Sequence, residues 1–208
     1  MKKTLFTVIL IFFIAAASFG GDIKLSAGGG INFQGVYGMG YRYPSLHEEG
    51  GTINNNQFGL FLFFDATYAE VDFAFNYGVY TWDYYAGYYD YSGTEQEFTG
   101  EISLMGKYPF YLEQFTLFPL LGISGKWYFW GSHGAHEAGV NTTASAINTG
   151  SLGFLAGVGG DFNLTEHLYL RGELLYVIKL RWINDEKQFD TERPGNGVKL
   201  KLGVGYSF

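Results

Sequence analysis

Apolar and polar residues alternate with a period of two along most of the chain from Asp22 onward. The segment 198–208 shows this pattern most clearly. Its apolar positions are Val198, Leu200, Leu202, Val204, Tyr206 and Phe208, and the positions between them are Lys199, Lys201, Gly203, Gly205 and Ser207. Because successive side chains of a β-strand point to opposite faces of its sheet, the segment is predicted to be a strand with one apolar face and one polar or small face.

The same alternation recurs in seven segments upstream, which brings the number of predicted strands to eight. The seven ranges are 23–37, 57–65, 71–79, 98–108, 115–129, 152–162 and 168–182, and 57–65 is the least regular of them. An even number of strands lets both chain termini lie on the same side of a membrane, as in bacterial outer-membrane barrels.

Alternation by itself does not distinguish a membrane barrel from a soluble lipocalin-type barrel, whose apolar face points inward. Here the apolar face carries almost no charge and is long enough to cross an apolar band of ~25 Å. The opposite face is rich in glycine, which suits the narrow interior of an eight-stranded barrel, where charged side chains need room opposite them. Both features favour an apolar exterior in contact with lipid.

The predicted connections between the strands alternate between long and short. The long ones are 38–55, 82–96, 131–149 and 183–195, and the short ones are 66–68, 109–113 and 163–166. Long outer loops and short periplasmic turns are typical of transmembrane barrels. The sequence therefore predicts an all-β fold, a single antiparallel transmembrane β-barrel of about eight strands.

The first twenty residues are predicted to be a cleaved secretory signal peptide. Lys2 and Lys3 precede the apolar run 5–17, and Ser18 and Gly20 supply the small residues that a signal peptidase requires. The alternative, a membrane anchor, would need about 20 apolar residues. We therefore expect 1–20 to be removed and 21–208 to form the barrel.

The composition supports strands and excludes several classes of site. Aromatic residues make up 20% of the chain, and there are 31 glycines but only 4 prolines, which favours strands and turns. A net charge of -7 argues against nucleic acid as a partner. Because there is no cysteine, disulfides and thiolate zinc sites are excluded.

The stretch 152–176 resembles the small outer-membrane barrel family typified by outer-membrane proteins A, X and W. It has a glycine-rich strand, a short polar turn and a strand with Arg171 and Glu173 on its polar face, and the ending 203–208 is similar to the closing strand of that family. The resemblance implies a bacterial outer-membrane location, with membrane lipid and the barrel-assembly machinery as partners. It also implies that Phe208, with Tyr206 two residues before it, is the signal that this machinery reads. It implies no activity.

Charged residues of both signs fall on the predicted inner face. The acids are Glu70, Asp72, Glu101 and Glu173, and the bases are Lys126, Arg171, Lys179, Arg181, Lys199 and Lys201. Asp65 and Asp161 would even the count if they also point inward. Because burying an unpaired charge is costly, we expect these groups to form ion pairs inside the barrel. Such pairs would act either as a plug that makes the barrel rigid or as a gate in a narrow ion path.

One predicted outer loop is unusually rich in tyrosine. Its candidate binding residues are Trp82, Tyr84, Tyr85, Tyr88, Tyr89 and Tyr91. Tyrosine offers a large, rigid contact area together with a hydroxyl group, which is typical of binding loops. We expect this loop to be the main surface for extracellular or host ligands, the alternative being a rim that simply extends above the membrane.

Histidines and serines give weaker signals. His133 and His136 fall with Glu137 in one predicted outer loop but match no zinc-hydrolase motif. Ser132 lies beside His133, but a nucleophile also needs a base and an orienting acid in defined geometry. We expect no metal site, no cofactor and no catalytic residue; a lipid-modifying enzyme that uses Ser132 and His133 is the enzymatic alternative.

A group of apolar residues breaks the polar character of the inner face: Phe61, Phe63, Phe118 and Leu120. In relatives that resemble outer-membrane protein W, an apolar interior is linked to small hydrophobic ligands. The competing interpretation, which we favour, is a local bulge that turns these residues outward. The sequence thus predicts a non-enzymatic protein of envelope structure and surface-loop interaction or adhesion, with a narrow conduit for small hydrophobic molecules as the alternative.

Overall fold

The computed structural model describes residues 23–40, 49–86, 89–135, 150–181 and 196–208, and within these ranges it consists of nine strands joined by turns. The strands are β1 (Leu25–Gly40), β2 (Glu49–Ala66), β3 (Ala69–Ala86), β4 (Tyr89–Lys107), β5 (Phe110–Leu112), β6 (Phe115–Ala135), β7 (Gly150–Asn163), β8 (Leu168–Arg181) and β9 (Asn196–Ser207). No helix in the described part of the chain is long and apolar enough to cross a membrane. The predicted signal peptide, 1–20, lies outside the described residues and stays a prediction.

The sheet closes on itself. Its strand order is β4-β3-β2-β1-β9-β8-β7-β6-β5, and a further pairing joins β4 to β6. β5 pairs only with the start of β6, as a short hairpin, so the closed wall consists of the other eight strands. All pairings are antiparallel. The predicted fold, a closed antiparallel barrel of eight strands, is confirmed.

The strands are staggered around the barrel. Starting at Phe118 on β6 and following directly paired residues through β7, β8, β9, β1, β2, β3 and β4, the path returns to β6 at Tyr128, ten residues further along. Such a stagger means that the strands are tilted strongly against the barrel axis. The barrel is therefore narrow, and its interior has room for side chains and little else.

The exterior of the barrel is an apolar belt. Outward positions alternate with more buried ones along much of the long strands, and apolar side chains that are about half exposed line the wall, up to 71% for Leu121. The belt includes Leu25, Ile31, Phe33, Phe58, Leu60, Leu62, Phe64, Phe75, Tyr77, Val79, Ile123, Phe154, Val158, Leu170, Leu174, Leu200 and Leu202. A closed antiparallel barrel with this exterior is a membrane-spanning one, of the type that bacterial outer membranes contain.

The belt ends before the strands do. At the end opposite the chain termini, the outward positions become polar at Asn56, Thr81, Gln96 and Asn196, all of which are exposed. Only about 9–11 tilted residues are needed to cross a membrane, whereas β3 has 18 and β4 has 19. These strands therefore continue beyond the membrane on the outer side.

Two of the four predicted outer loops, 82–96 and 38–55, lie largely in strands, whereas 183–195 and most of 131–149 lie outside the described residues. Most of 82–96 is paired: Tyr84 lies opposite Tyr91, and Ala86 lies opposite Tyr89. Much of 38–55 likewise belongs to β1 and β2. The prediction of loops was wrong here because a strand that leaves the lipid loses its apolar outer face while it keeps its hydrogen-bonded ladder. The short connections predicted at 66–68 and 163–166, at the opposite end, are confirmed, and the third, 109–113, contains the short strand β5.

Inward glycines make room for inward aromatic rings. Phe63 lies opposite Gly28 and Phe61 opposite Gly30, Phe118 lies opposite Gly159, and Tyr169 lies opposite Gly205. A Cβ atom added at Gly159 would lie 2.2 Å from the Phe118 ring, and one at Gly205 would lie 2.1 Å from the Tyr169 ring. A ring that packs over a glycine on the neighbouring strand is a known way to pin strand register.

The bulge expected near Phe61, Phe63, Phe118 and Leu120 is a wrong prediction. The register of these segments runs without interruption through β1–β2–β3 and β6–β7, and all four side chains are buried inside the barrel. The one register shift within the transmembrane part lies elsewhere, between Phe98 and Thr99 in the β4–β6 pairing. These apolar side chains point inward because glycines, not bulges, accommodate them.

This packing predicts a difference between inward and outward glycines. Replacing Gly159→Ala should destabilise the barrel by about 1–3 kcal/mol, because the added methyl group overpacks the Phe118 ring. Gly172→Ala is the matched control, since a Cβ atom there would meet only the end of Leu202, at 3.7 Å. Unfolding of both variants in urea and lipid vesicles measures the difference; equal stabilities would contradict the packing argument.

Candidate functional site

Arg171 is the centre of a buried ion-pair cluster near the end of the barrel that carries the termini and short turns. Its guanidinium donates hydrogen bonds to three carboxylates from three different strands. Nη2 lies 2.5 Å from Asp65 on β2, Nη1 lies 2.5 Å from Glu70 on β3, and Nε lies 2.7 Å from Asp161 on β7. The side chain of Arg171, on β8, is almost completely buried. One cation thus links strands around most of the barrel.

Two lysines extend the cluster. Lys107, at the end of β4, donates to Asp65 and lies 3.9 Å from Glu70. Lys201, on β9, donates to Asp72 and to Glu173, the latter at 2.6 Å, and its Nζ lies 3.5 Å from Glu70. All of these charges are buried, so each depends on a partner of opposite sign for its stability.

The cations of this cluster also lie against the inward aromatic rings. The Arg171 guanidinium carbon lies 4.4 Å from the centroid of the Phe63 ring and 5.2 Å from those of Phe118 and Tyr169. Lys201 Nζ lies 4.7 Å from the Phe61 centroid. Attraction between a cation and the face of an aromatic ring is strengthened when both are shielded from water. The rings therefore hold the cations in place as well as filling space.

A carboxylate triad within the cluster has the arrangement of a metal site, but a lysine occupies it. Oxygen atoms of Glu70, Asp72 and Glu173 lie within 4.8 Å of one another. Lys201 Nζ contacts all three carboxylates. Because the ammonium group already provides the positive charge between them, the arrangement is an ion-pair cluster and gives no reason to expect a metal.

A second polar layer lies closer to the outer side. Lys126 donates to Gln57 Oε1 at 2.5 Å and lies 3.8 Å from Glu97, and Asn55 donates to Glu97 at 2.9 Å. Lys199 forms an ion pair with Glu101 at 2.8 Å. The interior is thus crossed by charged and amide side chains at two levels.

Part of the interior wall is apolar instead. Its members come from β4, β6, β7 and β8 and form a buried cluster: Met105, Phe118, Leu120, Leu155, Leu175 and Val177. The polar layers draw on the same strands, since Glu101 belongs to β4, Lys126 to β6, and Arg171 and Glu173 to β8. The interior therefore combines a local apolar cluster with the charged and amide layers beside it.

The structure places eight of the ten residues suggested for interior ion pairs inside the barrel, with buried side chains: Glu70, Asp72, Glu101, Lys126, Arg171, Glu173, Lys199 and Lys201. Asp65 and Asp161 join them as partners of Arg171. The side chains of Lys179 and Arg181 lie outside what the structure describes. Sequence reasoning missed Lys107 and Glu97 as partners, although both occupy odd-numbered positions in β4, on the same face as Glu101.

The other suggested residues lie at the two ends of the barrel. Tyr206 and Phe208 are exposed at the end with the short turns, with ring centroids 5.6 Å apart. Trp82, Tyr84 and Tyr85 belong to β3, and Tyr89 and Tyr91 to β4; their side chains, and all of Tyr88, lie outside the described residues.

The suggested catalytic pair is in a strand. Ser132 and His133 belong to β6, opposite Gln96 and Glu95, so the expectation that they lie in an outer loop was wrong. The β6 ladder continues past the lipid boundary, as that of β3 does. Their side chains, and the whole of His136, lie outside the described residues, and a catalytic arrangement around them stays untested.

The ion-pair cluster predicts that removal of the Arg171 cation greatly lowers the free energy of unfolding. Arg171→Met should destabilise the barrel by about 3–5 kcal/mol, because Asp65 and Glu70 would keep buried charges, and Asp161 a partly buried one, with too few partners. Lys24→Met, at an exposed position, is the control and should have little effect. Urea unfolding in lipid vesicles, followed by electrophoretic mobility, measures both; an Arg171→Met variant as stable as the parent would contradict the assigned role.

Comparison with known proteins shows the fold and nothing finer. No protein-family model and no curated protein sequence matches the chain. Among solved structures, the outer membrane protein OprG from Pseudomonas aeruginosa is similar, with 15% sequence identity, a TM-score of 0.51, and coverage of 89% of this chain and 95% of that one.

Two further solved structures show weaker likeness. Ail, the attachment invasion locus protein of Yersinia pestis, has 16% identity and a TM-score of 0.43 over 90% of this chain and 100% of that one. The outer membrane protease OmpT from Escherichia coli has 10% identity and a TM-score of 0.40 over 91% of this chain and 98% of that one. At such identities an attachment protein and a protease lend no activity to this chain. What it shares with OprG is the small outer-membrane barrel fold.

Proposed function

We propose that the protein is a non-enzymatic, non-conducting outer-membrane barrel that contributes to envelope integrity and presents its β3–β4 hairpin outside the cell as a binding or adhesion surface. The observation that carries this proposal is the ion-pair cluster around Arg171, which spans the interior. Since an eight-stranded barrel has barely enough interior space for its own side chains, a cluster of this size leaves no wide aqueous path.

The cluster suits a structural role better than a gate. Arg171 is bonded to carboxylates on three other strands, and aromatic rings pack against its guanidinium. Opening a path would require several buried charges to lose their partners together, at a cost of several kcal/mol for each. A plug that makes the barrel rigid follows directly from this arrangement.

The β3–β4 hairpin supports the outward-facing part of the proposal. Beyond the lipid boundary at Thr81 and Gln96, the two strands remain paired up to Ala86 and Tyr89. The tyrosines in this region are therefore carried on a hydrogen-bonded ladder, which orders the backbone before any partner binds. Pre-organised tyrosines provide large contact area at low entropic cost.

Export and assembly form part of the same proposal. The segment 1–20 would direct the chain across the inner membrane, and the exposed Tyr206 and Phe208 would then be read by the barrel-assembly machinery. Phe208 is 78% exposed, which supports access to this end of the chain.

A second candidate function is a conduit for small apolar molecules. It is favoured by the apolar cluster on the inner wall, which includes Phe118, Leu155 and Leu175. An apolar solute moving along that wall would still meet Arg171 and the rings around it, so this candidate ranks second.

A conductance measurement separates a plug from an open path. Purified protein, verified as folded by its heat-modifiable migration on a detergent gel, should give no steady conductance in a planar bilayer, because charged side chains fill the barrel at two levels. Uptake of a fluorescent apolar dye into vesicles containing the protein should equal that of protein-free vesicles. Steady conductance would overturn the plug, and protein-dependent dye uptake would favour the conduit.

Shortening the hairpin tests the adhesion part alone. Residues 83–92 would be replaced with Asn-Gly, which forms a two-residue turn between Trp82 and Gly93, a directly paired position. Cells that display this variant should adhere several-fold less to plates coated with extracellular-matrix proteins than cells with the parent, as expected from the loss of the aromatic contact area.

The control for this experiment replaces Tyr84, Tyr85, Tyr88, Tyr89 and Tyr91 with phenylalanine, which keeps the rings and removes the hydroxyls. Adhesion by the shortened variant at the level of the parent would remove adhesion from the proposal and leave the plugged barrel unaffected. Equal surface expression of all variants, measured with an antibody, is required for the comparison.

A further inference from the structure

A notch interrupts the lipid-facing belt near the end with the short turns. Gly160 on β7 and Gly172 on β8 are directly paired and occupy the same face as the exposed Val158 and Leu174. They form the floor of an open groove of about 670 Å³. Its walls are formed by Phe110, Leu117, Pro119, Val158, Leu174 and Leu200.

The backbone does not require glycine at these two positions. A Cβ atom at Gly172 would meet only the end of Leu202, at 3.7 Å, and one at Gly160 would meet the end of Leu117 at 3.1 Å. At Gly30 and Gly157, by contrast, a Cβ atom would lie 2.0 Å from a backbone oxygen of the neighbouring strand. The notch is therefore a feature of the surface and not a by-product of strand packing.

The depth of the notch places it in one leaflet. β7 ends at Asn163 and β8 begins at Leu168, so the paired glycines lie roughly 10 Å along the strands from the turn. That distance is within the periplasmic half of an apolar band of ~25 Å. The surroundings at this depth are the acyl chains of phospholipids.

One end of the groove reaches the membrane boundary. Phe110 lies in the short β5 strand, next to the turn, and its ring centroid is 5.4 Å from that of Tyr108. Tyr108 and Tyr111 are both more than half exposed. Tyrosine hydroxyls at this level can hydrogen-bond to the polar part of a lipid while the rings remain in contact with its apolar part.

We propose that this groove is a binding site for one acyl chain of a periplasmic-leaflet phospholipid, whose polar part lies beside Tyr108 and Tyr111. The glycine pair leaves a recess between bulky apolar side chains, and a flexible chain of methylene groups can follow the shape of such a recess. Pockets of about 300–1,000 Å³ hold ligands of this size class. Within a bilayer the preference arises from packing contacts rather than from exclusion of water.

Photo-crosslinking tests the site in vesicles of phosphatidylethanolamine and phosphatidylglycerol. The probe is phosphatidylethanolamine with a diazirine in the middle of one acyl chain, and mass spectrometry locates the labelled residues. In the parent protein, labelling of the groove residues should exceed that of the β2–β3 exterior. The double substitution Gly160→Leu and Gly172→Leu should reduce groove labelling by about threefold or more, because the new side chains fill the notch.

Gly125→Leu is the matched control. Gly125 occupies an outward position of β6, between the exposed Ile123 and Trp127 and six residues beyond the groove residue Pro119. A Cβ atom there would meet only the end of the Trp127 ring, at 3.7 Å. This variant should keep the labelling of the groove at the level of the parent. If the leucine pair does not fold, the smaller Gly160→Ala and Gly172→Ala pair replaces it and should give an intermediate decrease.

Two outcomes would overturn the proposal. Groove labelling equal to that of the rest of the exterior in the parent would mean that lipid at this position is ordinary boundary lipid. Weak lipid labelling of the groove in a parent protein that is dimeric by analytical ultracentrifugation, with the dimer lost in the leucine variant, would mean that a second copy of the chain fills it.

Discussion

The structure depends on one electrostatic constraint: charges that are enclosed by a narrow barrel must find partners of opposite sign there. Arg171 meets this constraint for three carboxylates at once, and Lys107 and Lys201 meet it for the rest of the cluster. Some of the partners come from strands that are distant in sequence, such as Arg171 on β8 and Asp65 on β2, so these ion pairs form only when the strands that carry them are in register. The same contacts that stabilise the interior therefore select the arrangement of the wall.

Glycine and aromatic residues make that constraint compatible with a small radius. Each of the rings of Phe61, Phe63, Phe118 and Tyr169 lies opposite a glycine on the adjacent strand, which leaves the space at the centre for the cations. The rings in turn contact the guanidinium and ammonium groups. Glycines on the inner face thus affect the charges indirectly. They leave space for the rings, and the rings contact the charged groups.

The sequence was sufficient for the fold and for most of the interior, and the reasons are physical. In a membrane barrel, an alternation with a period of two shows which side chains face lipid and which face the interior. The inward orientation of Arg171, Glu173 and Lys201 could therefore be predicted without knowing any contact. The partners within the cluster could not, because stagger between strands decides which charges meet. Lys107 was missed as a partner for this reason, although its face was clear.

Two other differences between the sequence-based prediction and the structure also arise from the limits of the alternation pattern. The pattern fails above the lipid boundary, where both faces of a strand are wetted, so the paired region near Tyr84 and Tyr91 was predicted to be a loop. It also treats an apolar residue on a polar face as an irregularity, so Phe61 and Phe63 were assigned to a bulge. Neither a hydrated ladder nor a ring packed over a glycine leaves a signal in hydropathy alone.

The direct pairing of β1 with β9 has a consequence for how the molecule is made. The wall is joined by twelve paired positions between Ser26–Tyr37 and Asn196–Ser207, so the earliest strand keeps an open edge until the latest strand arrives. An edge of this kind readily adds foreign strands, and closing a loop of such length is slow. During folding, pairing of β1 with β9 therefore competes with aggregation through the open edge of β1. A partner that covers this edge until β9 arrives would favour closure of the barrel.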